Sequence, residues 1–215
     1  MYESDGFGKD LKIVLVGNVS TGKTSIIDRY VNKIFHKKKK ATISPNFSYK
    51  LIQIDNINYR LQFWDIPGQD RSPSLTSVFC RDAHGFIFCC DCIIKNTRND
   101  ILNWKNNLEN FIDISNIPNI IMENKCDLLG DESKYEDDID ELNNFSKDNN
   151  FFGAFRTSAL NGYNIDKAMN FLVNEIIKKM KNDINNKKGN ENNIKLKEVK
   201  KIKLNNNKEN NKRCC

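Results

Sequence analysis

The chain has 215 residues, 39% hydrophobic and 29% charged, with a formal net charge of +6; that length suits one ordinary domain with chain to spare and does not require two. The start MYESDGFGKD has no apolar core, and nowhere do roughly eighteen apolar residues run together, so neither a secretory leader nor a spanning helix is predicted. Seven cysteines, three of them at Cys89, Cys90 and Cys92, and two histidines, His36 and His84, match neither the spaced pairs of a disulfide framework nor a zinc ligand set, so a reduced, cytosolic protein is expected, with thiols acting as small buried hydrophobes in GFIFCCDC.

Short apolar runs alternate with longer amphipathic segments. LKIVLVG predicts a strand and TGKTSIIDRYVNKIF the helix after it. FSYKLIQID and YRLQFWDI, joined through Asn56, Ile57 and Asn58, predict a hairpin, because period-two patterning flanks a turn-prone Asn pair. Strand HGFIFCCD, a helix around Asp100 to Phe111, strand NIIMENK, a helix around Asp137 to Ser146, strand FGAFRTS and a helix from Asp166 to Lys178 complete the series. Strand followed by helix, repeated, predicts an α/β fold: six strands, mainly parallel, with one antiparallel edge strand and helices on both faces.

Beyond Met180 the composition changes. Between Lys181 and Cys215 stand eleven Lys and Arg against four Asp and Glu, so the tail is strongly basic while the remainder is nearly neutral. Rich in Asn and poor in aromatics, the tail cannot bury enough apolar surface to offset its chain entropy, and disorder is predicted. The organisation expected is an extension over 1–9, a folded domain over 10–180 and a basic tail over 181–215.

The first strand leads into GNVSTGKT, Gly17 to Thr24, which satisfies G-x-x-x-x-G-K-[ST]. Glycines let the backbone wrap close to a phosphate and amide hydrogens converge on it at the mouth of a helix; Lys23 neutralises the outer phosphates and the Thr24 hydroxyl suits Mg²⁺. The pattern alone is short enough to arise by chance, and its place between an apolar strand and an amphipathic helix is what gives it weight. Downstream, NKCD at Asn124 to Asp127 follows a predicted parallel strand, at the end where open sheets bind ligands. A carboxylate there accepts from the N1–H and exocyclic amine of guanine, whereas adenine would leave it unpaired, so Asp127 points to GTP rather than ATP.

In order along the chain stand GNVSTGKT, Thr42 in KATIS, WDIPGQD, NKCD and TSAL at Thr157 to Leu160. Together they resemble the Ras superfamily of small GTPases over Asp10 to Lys179, a P-loop G domain. The resemblance implies phosphate contacts from Val19, Ser20, Thr21, Gly22, Lys23, Thr24 and Ser25. It implies Mg²⁺ held by Thr24, Thr42 and, through water, Asp65; a γ-phosphate contact from Gly68; and Gln69 orienting the attacking water. Lys125 and Phe35 would sandwich the guanine, Asn124 and Asp127 belong to the base-reading motif, and Ser158, Ala159 and Leu160 would reach its O6. Taken singly, each has a bland alternative: a loop Thr, a turn Gly, a solvated Gln, a core Phe.

FWDI with Trp64 and the segment RDAHG look most similar to the Rab branch, in which Phe47, Trp64 and Phe79 would form an exposed aromatic triad for effectors; core packing is the competing reading. The terminal Cys214 and Cys215 match the Rab pattern of double prenylation, for which two lipid chains hold where one is marginal and basic residues add attraction to an anionic leaflet. RYVNKIF, ATI and FFGAFRTSALNGYNIDKAMNFLV are similar to the Rab subgroup of lysosome-related organelles. The implied function is a monomeric GTP/GDP switch of vesicle traffic. Its partners would be effectors, an exchange factor, a GTPase-activating protein, a prenylation escort and a GDP-dissociation inhibitor, at the cytosolic face of an endomembrane. A prenylated GTP-bound scaffold with little hydrolysis is the alternative.

The sequence departs from the family near the γ-phosphate. Val19 and Ser20 occupy a stretch where small residues are common, and Pro67 stands where Ala is usual, fixing φ and removing a donor. ISPNF at Ile43 to Phe47, Ser72 and Leu160 also differ. These changes lead to an expectation of slow intrinsic hydrolysis. The run HKKKK, His36 to Lys40, fits a solvated loop, with an acidic partner or a membrane surface as the alternative; nucleic acid is disfavoured, since no basic face or stacking aromatics accompany the run.

Overall fold

The computed structural model describes residues 8–38, 40–69, 78–94 and 96–186. Within the unit ending at Ile176, the strands are β1 (Lys9–Val16), β2 (Asn46–Ile54), β3 (Ile57–Asp65), β4 (Gly85–Asp91), β5 (Asn119–Asn124) and β6 (Gly153–Arg156). The helices are α1 (Lys23–Asn32), α2 (Thr97–Glu109), α3 (Ile139–Asp148) and α4 (residues 165–176). In the second unit, Ile177–Cys215, residues 177–186 are helical; the tail beyond them, with Cys214 and Cys215, lies outside the described residues, as do Lys39 and Ser72.

The strands form one sheet in the order β2-β3-β1-β4-β5-β6. β1 pairs parallel with β3 and β4, β4 with β5, and β5 with β6, while β2 runs antiparallel to β3 at the edge. Every residue of β4 and of β5 is buried, as parallel strands covered on both faces must be. The β2 edge strand instead alternates, with Phe47, Tyr49 and Leu51 exposed.

The hairpin differs from the sequence expectation at its turn. Ile57 and Asn58 belong to β3, paired with Ile54 and Gln53, and the turn is Asp55-Asn56. Both turn residues have positive φ, 50° and 61°, the two-residue geometry whose twist matches that of paired strands and that Asp and Asn tolerate. The apolar alternation continued through Ile57, so the loop tightened around the two residues able to adopt the left-handed region.

Helices cover both faces. Tyr30 of α1 packs edge-on to Phe63 with ring centroids 5.6 Å apart, and Phe63 sits beside Ile13 in the register. A Cβ on Gly85 would stand 2.7 Å from a methyl of Ile176 and 3.3 Å from one of Leu172, which places α4 on that same face. The opposite face carries Val14, Val16, Phe86, Phe88 and Cys90, packed with Ile101 and Leu108 of α2 and Leu142 of α3. Removing such a Phe from water stabilises by roughly 3 kcal/mol. Because β1, β3, β4, β5 and β6 run parallel, the segments leaving their carboxyl ends emerge along one edge, where open α/β sheets bind ligands.

Candidate functional site

The loop between β1 and α1 is shaped by two glycines that nothing larger could replace. Gly17 has φ 139°, and a Cβ on it would stand 2.2 Å from the Cys89 carbonyl oxygen of β4. Gly22 has φ 94°, and its Cβ would lie 2.3 Å from Asn124 Nδ2. Gly22 is also the residue before α1 and offers no side-chain cap, which leaves the first amides of the helix to an anion. Lys23 is buried and donates from Nζ to the carbonyls of Gly17 at 2.6 Å and Asn18 at 2.9 Å. Burial holds its pKa below the usual lysine range, against the opposing pull of Asp65. Thr21 turns its hydroxyl inward to Asn18 O at 3.0 Å, so what it presents is backbone.

Three hydroxyl and carboxylate oxygens converge beside the cradle. Thr24 Oγ1 donates to Asp65 Oδ2 at 2.5 Å and lies 2.9 Å from Thr42 Oγ1, while Thr42 Oγ1 is 3.5 Å from the same carboxylate oxygen. They come from α1, the end of β3 and the segment before β2. Hard oxygen donors around one buried carboxylate fit a small divalent cation such as Mg²⁺. Gly68 lies against the cradle itself, for a Cβ on it would stand 2.3 Å from the Val19 amide nitrogen. Gln69 is exposed and is the last described residue before 70–77.

The NKCD and TSAL segments meet across Asn124, which is 1% exposed. Its Nδ2 donates to Thr21 O at 3.0 Å, and its Oδ1 accepts from Ala159 N at 3.1 Å. One amide therefore ties the phosphate loop to the TSAL loop. Lys125, at φ 70°, extends to Asp91 Oδ2 at 2.5 Å. Ser158 is buried beneath the loop; its Oγ donates to Asp127 Oδ1 and accepts from the Leu160 amide at 3.2 Å, so its contribution is to orient a carboxylate and a turn. Arg29 of α1 spans the same loop, donating from Nε to Ala159 O at 2.8 Å and from Nη2 to Leu160 O.

A cavity of about 510 Å³ opens over this edge, lined by Val19, Ser20, Gly22, Lys23, Thr24, Ser25, Phe35, Thr42, Gly68, Asn124, Lys125, Asp127, Ala159 and Leu160. Thr21, Asp65 and Ser158, also predicted, stand behind that lining as supports. His36, Lys37 and Lys40 join the rim, so part of the basic run faces the cavity. Arg29 and Asp91 carry no motif and were not anticipated; a charged residue on α1 and an acid at the end of a strand have no local signature that tells them from solvated ones.

On the outer face of β2 and β3 the aromatic triad is contiguous. Phe47 and Trp64 meet edge-on at 5.5 Å, Trp64 and Phe79 lie 6.2 Å apart, and Lys12 Nζ sits 4.9 Å from the Trp64 ring. Phe47 is exposed, whereas Trp64 and Phe79 are partly buried against the core. The cysteines at 89 and 90 are free and buried, and burial pushes the Cys89 thiol up to about 12.

A model of the Ras family matches residues 12–178. The chain is 38% identical over 170 residues to Ras-related protein Rab-32 of Mus musculus, covering 77% of this chain and 75% of that protein. It is 39% identical over 183 residues to Ras-related protein Rab-32A of Dictyostelium discoideum, covering 82% of each. To Ras-related protein Rab-7L1 of Homo sapiens it is 33% identical over 177 residues, 80% of this chain and 85% of that protein.

Proposed function

This chain belongs to the Ras family, as a Rab-like small GTPase of membrane traffic, and from that premise we propose how its own residues bind and cleave GTP. The observation that carries the reading is convergence: the phosphate loop, Thr24 and Thr42 of the oxygen trio, and the NKCD and TSAL loops border one cavity, with Asp65 bonded to Thr24 behind its wall.

The phosphates lie along the amides of Val19 to Ser25, with Lys23 moving from the Gly17 and Asn18 carbonyls to phosphate oxygens. Burial makes that exchange favourable, because an ammonium held in low dielectric gains more from a phosphate than from neutral carbonyls. Thr24 and Thr42, and Asp65 through a water, would hold Mg²⁺, which would supply positive charge to offset that of the phosphates. Asp127, oriented by Ser158, accepts from the guanine N1–H and amine. Lys125 and Phe35 enclose the ring, Ala159 and Leu160 face its O6, and Asn124 keeps the phosphate and base halves in register. Gln69 orients the attacking water, and Gly68 gives its amide to the γ-phosphate.

Loss of that phosphate frees the segments around Thr42 and Gly68, which effectors read together with Phe47, Trp64 and Phe79. Val19 lines the cavity beside Gly68 and Pro67 stiffens the same segment, so intrinsic hydrolysis is slow and an activating protein supplies the rate; single-turnover phosphate release matching that of other small GTPases without a partner refutes this. No described helix is long and apolar enough to cross a membrane. Attachment is by lipid on Cys214 and Cys215, assisted by the basic tail over 181–215, on the cytosolic face of endomembranes of the lysosome-related class.

The deciding experiment is Asp127→Asn. An amide donates where the carboxylate accepted, so the variant loses guanine nucleotide by roughly a hundredfold or more and gains xanthine nucleotide, whose C2 carbonyl takes that donor. Calorimetry with both bases checks it, and unchanged guanine affinity sinks the assignment.

A further inference from the structure

The phosphate loop is also held from behind. Trp104 Nε1 of α2 donates to Asn18 Oδ1 at 2.8 Å, and Asn18 Nδ2 donates to Asp100 Oδ2 at 2.8 Å. An indole nitrogen only donates and an ionised carboxylate only accepts, so the two partners leave the Asn18 amide a single orientation. Asp100 and Trp104 are four residues apart on one helix face, and α2 is anchored by Ile101 and Leu108 in the core.

The main chain of Asn18 is occupied by the reaction's machinery. Its carbonyl accepts from Lys23 Nζ at 2.9 Å and from Thr21 Oγ1 at 3.0 Å. Its carbonyl carbon and oxygen lie 2.4 and 2.6 Å from where a Gly68 Cβ would stand. Two residues on, Ser20 holds φ 65°, a left-handed conformation that a non-glycine residue keeps only where its surroundings impose it. Residue 18 therefore connects a rigid helix, the phosphate lysine and the glycine of the γ-phosphate sensor.

We propose that Trp104 and Asp100 are positioning residues that set the phosphate loop through the Asn18 amide, making α2 part of the barrier to nucleotide release. This rests on the GTPase reading above. The strut keeps the Asn18–Ser20 segment in the shape that gathers its amides, and when it is cut that segment relaxes and the nucleotide leaves faster.

The polarity of the pair makes a test that packing alone does not pass. Trp104→Phe keeps the ring and removes one donor; release of a fluorescent GDP analogue from the full chain rises about three- to tenfold, the scale of one hydrogen bond. Asn18→Asp sets a carboxylate against Asp100, and release rises by roughly tenfold or more. Asp100→Asn alone gives a rise of about threefold. The exchange Asn18→Asp with Asp100→Asn restores one donor and one acceptor in reversed order, still with an acceptor for Trp104, and release returns to within about threefold of wild type. Hydrogen exchange of amides 17–22, compared between variants with the same nucleotide bound, follows the same ranking. Unchanged release and unchanged loop protection in Trp104→Phe and Asn18→Asp, or simple additivity in the double variant, overturns the inference. Failure of the wild-type chain to bind guanine nucleotide would instead overturn the reading it rests on, with loop exchange still reporting the strut.

Discussion

Replacing Asn124 by Ala separates the phosphate half of the site from the base half. The side chain is almost fully buried, and its amide makes bonds of 3.0 Å to Thr21 O and 3.1 Å to Ala159 N. Truncation leaves a buried carbonyl and a buried N–H without their partner, about 1–3 kcal/mol for each group. With water entering the small space left behind, the total is about 2–4 kcal/mol. Since both bonds shape the nucleotide cavity, that energy falls chiefly on the bound state, and GDP release accelerates roughly 30- to 1,000-fold. Asn124→Asp is at least as damaging: it keeps an acceptor for the Ala159 amide but sets a carboxylate oxygen against Thr21 O. Stopped-flow release of a fluorescent GDP, with melting curves at saturating nucleotide, measures both effects. Release within twofold of wild type in both variants would refute the idea that one amide couples the two loops.

Gly68→Ala drives a Cβ to 2.3 Å from the Val19 amide nitrogen, and since the obstacle is backbone, the segment carrying Gly68 must move away. GTP hydrolysis then falls at least about tenfold while GDP affinity changes little, as single-turnover assays and equilibrium titration will show. Glu123→Ala removes the carboxylate that receives Arg98 Nε at 2.6 Å and Arg156 Nε at 2.9 Å. Because Arg156 is buried, an uncompensated cation costs about 3–5 kcal/mol, and the denaturant midpoint drops accordingly; an unchanged midpoint would mean that water already solvates the pair. Cys214→Ser with Cys215→Ser abolishes membrane association of the tagged full chain in fractionated cells, whereas either single change leaves a weak, reversible association.

Much of this molecule is written locally. The uniformly apolar runs around Ile87 and Ile121 specify buried parallel strands because a parallel sheet covered on two faces has no solvent side. The alternation at Phe47, Tyr49 and Leu51 marks an edge for the converse reason. GNVSTGKT, DIPG and NKCD are contiguous because a backbone cradle and a strand-end carboxylate are each built from a few consecutive residues, so Lys23, Thr24 and Asp127, which line the cavity, stand out as candidates in the sequence alone. The hairpin turn was misplaced because two neighbouring Asn-containing dipeptides both suit a turn, and only the pairing of Ile54 with Ile57 chose Asp55-Asn56.

What folding alone decided is the meeting of residues far apart in the chain. Asn18 and Trp104 are separated by 86 positions, Asn124 and Thr21 by 103, and Arg29 and Ala159 by 130. Each is an ordinary polar or aromatic residue in its own segment, with no spacing that announces a partner. A hydrogen bond of 2.8 Å between two such groups depends on where two helices and three strands come to rest against one core. The sequence by itself therefore determined the chemistry at the ends of the strands. The tertiary structure determined which side chains hold those ends in place, because close packing makes such contacts and local periodicity does not encode them.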